Sequence, residues 1–260
     1  KGRFLNLRVS ISIVNYVLLL VIISLFWIYK SHGFDLTDEA FYAISSTQPE
    51  NIISNLTSFG YLTNYVIRVL NCDFHTTRIF GLFLILATWS LVCHRVIRDT
   101  KENISNRELA VQFPCLVLPV LIFYWDGIYA LSYNLYAVSG LNLILFTLVG
   151  KDYTNKKSKE LLLAALGVFI CLMSKFSVIP LLFILITFFA ICSKSKKELI
   201  FILQSIVLSS LFFIVHFTIS GDSIFSFFDR HKHSFDNLYL LKSDHFSFFS
   251  DLSLLEIFIY

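Results

Sequence analysis

The run VSISIVNYVLLLVIISLFWIY, residues 9–29, passes 21 positions without a charged side chain. As a helix rising 1.5 Å per residue it is about 30 Å long, the depth of a bilayer's hydrocarbon core. It is too long for the apolar part of a secretory leader and no small-residue cleavage site follows, although Lys1, Arg3 and Arg8 give it a basic start. Further apolar stretches lie at about 78–97, 109–125, 133–149, 161–173, 177–193 and 199–219. Lipid offers the backbone no hydrogen bonds, so each is read as a helix. With 56% hydrophobic and only 15% charged residues among 260, the chain is too apolar for a soluble domain of this size. The expected fold class is all-α: a polytopic bundle of transmembrane helices, its first span at about 9–30 and the others at the stretches just given. Beginning at Lys1 and stopping inside the apolar segment 252–260, the chain is expected to be part of a longer protein, incomplete at both ends.

Basic residues orient such spans, because Lys and Arg collect in cytoplasmic loops. Four clusters hold 14 of the 21: Lys1, Arg3 and Arg8; Arg95, Arg98, Lys101 and Arg107; Lys151, Lys156, Lys157 and Lys159; Lys194, Lys196 and Lys197. If all share the cytoplasmic side, the spans between neighbouring clusters pair into hairpins. Residues 161–193 make a helix of about 50 Å, too long for one upright span. Their turn is therefore expected at Ser174-Lys175-Phe176, with Pro180 opening the return helix. By this parity the N-terminus is cytoplasmic, and Asp38, Glu39, Asp126, Lys175 and the polar stretch 220–251 face outward. The net charge of +3 is then a topology signal and implies no nucleic-acid partner.

The outer loop 31–77 holds the longest polar segment, including Gly33-Phe34-Asp35-Leu36-Thr37-Asp38-Glu39-Ala40-Phe41-Tyr42. Thr37 is expected to cap a helix whose first turn carries Asp38 and Glu39, and Pro49 to end it. The positive end of the helix dipole favours carboxylates there by roughly 0.3–1 kcal/mol. That keeps an acid ionised at neutral pH, as a general base must be. Tyr42, four residues on, shares a face with Asp38, whereas Glu39 points elsewhere. The same pair is equally consistent with plain helix capping. A second helix, from about Ile52 to Leu70, carries apolar residues at helical spacing beside a polar face and reads as lying on the membrane surface.

The arrangement resembles the GT-C glycosyltransferases, and within them the protein mannosyltransferase and lipid A aminoarabinose transferase group. The residues that carry the likeness are Asp38-Glu39-Ala40-Phe41-Tyr42 after the first span, Arg78-Ile79-Phe80-Gly81 opening the second, and Gly167 through Lys175. Where many members carry an acid just before the fourth span, this chain has Ser132-Tyr133-Asn134, and its nearest acid is Asp126. The resemblance implies inverting transfer of a sugar from a polyprenyl-phosphate donor to an acceptor hydroxyl of a glycan, lipid or protein, outside a bacterial inner membrane. Under it, Asp38 is the expected base and Glu39 positions acceptor or sugar. Arg78 and Lys175 are expected at the donor phosphate, and Tyr42, Asp126 and Asn134 in the substrate pocket. Each has a plainer reading: Arg78 as a span-end anchor, Lys175 snorkelling to the interface, Asp126 as a turn residue in Trp-Asp-Gly.

No cofactor is expected. The donor needs no nucleotide, and the chain has no glycine loop of the kind that cradles phosphates. Asp229, His231, His233, Asp236, Asp244 and His245 match no closed zinc spacing, so no metal is expected either. The five cysteines form no CxxC pair and are read as packing residues. The rival from another class is a transporter or flippase, with Asp38, Asp126 and Lys175 lining a path. Such proteins usually show interrupted segments in two related halves, and here only the Lys175–Pro180 region is interrupted.

Overall fold

A computed structural model describes residues 2–30, 38–51, 57–100, 105–123, 130–149, 158–174, 178–192 and 196–240. Among them the chain is all-helical: α1 (Gly2–Tyr29), α2 (Asp38–Thr47), α3 (Phe59–Leu70), α4 (Phe74–Thr100), α5 (Asn106–Phe123), α6 (Tyr133–Leu148), α7 (Ser158–Ser174), α8 (Val178–Cys192), α9 (Lys196–Ser220) and α10 (Ile224–Leu240). A 3-10 turn at Pro49–Asn51 follows α2, where proline was expected to stop it. Among the described residues three stretches are long and apolar enough to cross a membrane: Ser12–Tyr29, Phe74–Asp99 and Leu199–Ser220. Their outward faces expose Leu20, Trp27, Phe83, Val207 and Ile219, surface that water would penalise and lipid would not. Shorter apolar helices run over Gln112–Phe123 and Tyr133–Leu148.

Local chemistry sets the helix ends. Asn71 takes the left-handed conformation (φ 47°) and stops α3, letting the Cys72 N–H reach the Ile67 carbonyl at 3.2 Å. Asp73 then accepts the Thr76 N–H at 2.9 Å and starts α4; these bonds hold its carboxyl below the usual range. In α5, Pro114 cannot donate to the carbonyl of Ala110, four residues back, and the Tyr16 hydroxyl of α1 donates to that oxygen instead at 2.7 Å. Pro180 falls in the first turn of α8, where a missing N–H costs nothing. Of the turn expected at Ser174-Lys175-Phe176, Ser174 is the last residue of α7, and Lys175 and Phe176 lie outside the described residues.

The helices meet end to end in a consistent way. At one end the Arg78 Nη1 donates to the Lys30 carbonyl (2.6 Å), tying α4 to α1, and the Ser58 N–H donates to the Met173 carbonyl (2.9 Å), tying the start of α3 to the end of α7. At the other end Arg95 Nε donates to the Val149 carbonyl (3.0 Å), and its guanidinium lies 3.5 Å from Glu160 and 3.6 Å from Asp99. Between these ends α6 and α7 approach closely at Gly140 and Gly167. A β-carbon on either would fall 2.7 Å from the other's carbonyl oxygen, so only glycine fits. Such close approach between small residues is the usual way helices associate in lipid.

Two expectations about the polar segments change. The helix expected from Ile52 begins at Phe59, and residues 59–64 are all buried, so this half of α3 is inserted among the other helices and does not lie on a surface. The stretch 220–251, read as an outer loop, contains the 17-residue helix α10. Ser223 caps it by accepting the Ser226 N–H at 3.0 Å, and Phe227 and His231, one turn apart, supply its buried face.

Candidate functional site

Asp38 and Glu39 open α2, so their backbone occupies the first turn as expected. Their side chains lie outside what the structure describes, as do Asp126 and Lys175 altogether. The rest of α2 is held firmly. Gly60 of α3 sits directly against the Ser45 carbonyl, where a β-carbon would collide with backbone. Asn64 Nδ2 donates to the Ser46 carbonyl at 2.6 Å. Tyr42 packs edge-on against Phe59 (5.5 Å between centroids) and Tyr133 (5.8 Å), and is buried. The enclosed ring holds α2 to the first turn of α6. Asn134, next to Tyr133, is exposed on that turn, which Ser132 caps by accepting the Leu135 N–H at 3.2 Å.

Arg78 is turned inward. It has no exposed surface, and its guanidinium grips the carbonyl end of α1. A buried cation at a helix C-terminus complements the dipole there. This geometry is that of a span-end anchor, the plainer of the two readings of Arg78. The middle of α2, the start of α3 and the start of α6 come together, and α3 in turn reaches the end of α7. Tyr42 touches Tyr133, and Ser58, one residue before Phe59, bonds to Met173, two residues before Lys175.

A second polar group, absent from the sequence reading, lies where α3, α9 and α10 meet. Arg230 pairs with Asp222 through both guanidinium nitrogens and also donates to Ser226 Oγ at 2.8 Å. Its guanidinium lies 5.7 Å from the centre of the Tyr61 ring, whose hydroxyl approaches Asp222 at 3.5 Å. Burial alone would raise the Asp222 pKa, but the bonds from Arg230 and Ser226 and the Arg230 charge outweigh it and hold the carboxyl below its usual range. Tyr61 is pushed up to about 12, chiefly by burial, and stays protonated. Next to it the Tyr65 hydroxyl meets His216 Nδ1 at 2.8 Å, and His216 stacks edge-on with Tyr61 at 5.0 Å. His231 Nδ1 donates to the Phe227 carbonyl at 2.8 Å, and burial lowers its pKa. The usable sequence signal was the four-residue spacing of Asp222, Ser226 and Arg230 behind the capping Ser223.

Among the described residues no group of His, Cys, Asp and Glu is arranged to hold a metal. His233 lies 3.5 Å from Asp229 on the exposed side of α10, an ordinary one-turn pair. Among the described residues the chain is all-helical, with three stretches long and apolar enough to span a membrane. No family model, curated protein or solved structure matches it.

Proposed function

We propose that the chain is a multi-pass membrane glycosyltransferase, GT-C-like in layout, that moves a sugar from a polyprenyl-phosphate donor to an acceptor hydroxyl. The observation that supports this reading best is the packing of α2, which opens with Asp38 and Glu39, on α3, whose preceding residue Ser58 bonds to Met173 near the end of α7. Asp38 takes the acceptor proton, and the acceptor oxygen forms the new bond to the anomeric carbon. The bond to the lipid phosphate breaks on the opposite face with inversion, and its electron pair leaves with the phosphate. Glu39 positions the acceptor or the sugar. Lys175 neutralises the charge growing on the leaving phosphate. Arg78 contributes by fixing α1 to α4 beside the site. The membrane is a bacterial inner membrane, with the basic clusters on its cytoplasmic side and the α2 end outside, as the Lys and Arg distribution favours.

The test supplies the purified protein in liposomes with radiolabelled polyprenyl-phosphate sugars and a host membrane extract as acceptor, comparing wild type with Asp38→Asn. Transfer lost in the variant at equal expression supports the assignment. Transfer that survives moves the base elsewhere, and no transfer from any donor removes the glycosyltransferase reading in favour of a transporter.

A further inference from the structure

Helix α10 has two unlike faces. Phe227 and His231 are buried, and Arg230 is clamped to Asp222 beneath Tyr61, so this face is fixed to the protein. The other face leaves Phe225 83% and Phe228 58% exposed, with Ile224 beside them. These two rings line a shallow groove with Ser226, Asp229 and Lys232. Two open phenylalanine rings three residues apart on a firmly held helix are unusual on a surface facing water.

The position of α10 along the chain indicates what covers them. The apolar stretch of α9 ends at Ser220, and its outward side exposes Val207, Leu211, Ile214, Val215 and Ile219. Only residues 221–223 separate that stretch from α10, a link of at most about 10 Å. Gly221, at φ 69°, makes the turn. The exposed apolar series on α9 thus resumes at Ile224 and Phe225 close to the depth at which α9 would leave the hydrocarbon. Lys232 lies one turn beyond Phe228, the spacing at which a lysine stem covers an apolar ring while its ammonium reaches outward.

We infer that the outer face of α10 rests on the surface of the lipid bilayer, with Phe225 and Phe228 in the acyl boundary and Lys232 at the phosphates. The inference rests on the reading that α9 crosses a membrane, and its test separates the two. In a background with the five cysteines replaced, Val207→Cys, Phe225→Cys and Phe228→Cys are each labelled with bimane in proteoliposomes. Lipids brominated high or low on the acyl chain and aqueous iodide serve as quenchers. A label at 225 or 228 should lose about half its emission to the high-bromine lipid and be shielded from iodide. The label at 207 should respond to the low-bromine lipid. If 207 responds to lipid while 225 and 228 respond only to iodide, α10 stands in water and the inference fails alone. If 225 and 228 are shielded from both quenchers, protein covers the face and the inference fails in favour of a second copy or a partner. If 207 itself responds only to iodide, the membrane-crossing reading of α9 falls and takes the inference with it.

Discussion

Alanine at Gly167 tests the packing of α6 on α7 with a single methyl group. The new β-carbon would lie 2.7 Å from the Gly140 carbonyl oxygen and 2.9 Å from Ile144 Cγ1. The first of these neighbours is backbone and cannot rotate aside, so relief requires the helices to part by several tenths of an ångström. Overpacking of this kind costs about 1–3 kcal/mol, against which alanine recovers roughly 0.5–1 kcal/mol of glycine's helix penalty. The expected net loss is therefore about 1–2 kcal/mol, or a fall of roughly 2–8 °C in melting temperature for a chain of this size. Gly140→Ala meets the Gly167 carbonyl and Cys171 Sγ, both at 2.7 Å, and should cost a similar amount. Because one separation of the helices admits both methyls, the double variant should lose clearly less than the sum of the two. Cys171 is buried against this contact and supplies the assay: a thiol-reactive fluorophore followed during heating in detergent reports the opening of the pair. A Gly167→Ala protein that melts at or above the wild-type temperature would refute the close approach, and strictly additive losses would refute the shared separation.

Arg230→Ala leaves the Asp222 carboxylate buried without its cation and should cost about 3–5 kcal/mol, whereas the apolar pair Asp222→Leu with Arg230→Met should stay near wild type; thermal melts distinguish them. The Asp222 pKa is depressed in the folded protein, so its contribution is complete above the ordinary carboxylate value and disappears as pH falls through the depressed one. Wild type should therefore lose stability on acidification below that ordinary value more steeply than the apolar pair does, as melts across acid pH would record. Tyr16→Phe deprives the Ala110 carbonyl of its donor next to Pro114 and should cost about 0.5–1.5 kcal/mol, visible as a lower melting temperature in detergent. Arg78→Met should melt well below wild type because it releases the end of α1, whereas Lys175→Met should keep the wild-type melting temperature and lose sugar transfer; the reverse pattern would restore Arg78 to the phosphate.

Much of the fold was legible because its signals are local. Apolar runs announced the long helices, Pro49 stopped α2, and Asp38 begins α2 where the capping pattern placed it. What was not legible depends on partners far along the chain. Tyr61 and Asp222 meet across 161 positions, and nothing near either announces the other. Arg78 stands at a span end, where sequence cannot tell a cation turned outward from one turned inward; the structure shows it turned inward, its Nη1 on the Lys30 carbonyl. The helix α10 was hidden because the polar run Asp229 to His233 at its centre reads as a loop, although Phe227 and His231 at one-turn spacing already mark a buried face.

The way α2 is held bears directly on the role proposed for Asp38. A helix of 10 residues is marginal by itself in water, so its first turn is only as fixed as the contacts further along it. Those contacts run almost entirely through α3: Gly60 against Ser45, Asn64 on Ser46, and Phe59 against Tyr42. Four further points fix α3 in turn, namely Ser58 on Met173, Thr63 between Leu131 and Tyr136, Tyr65 on His216, and Tyr61 on Asp222. The last point brings the Asp222–Arg230 pair into the positioning of the carboxylates, about 14 Å along α2 from its far end. Glu50, just past that end, contributes to the electrostatics of both Tyr61 and Arg230. The ion pair thus bears on the proposed base only through α3, as one of the contacts that hold in place the helix on which α2 packs.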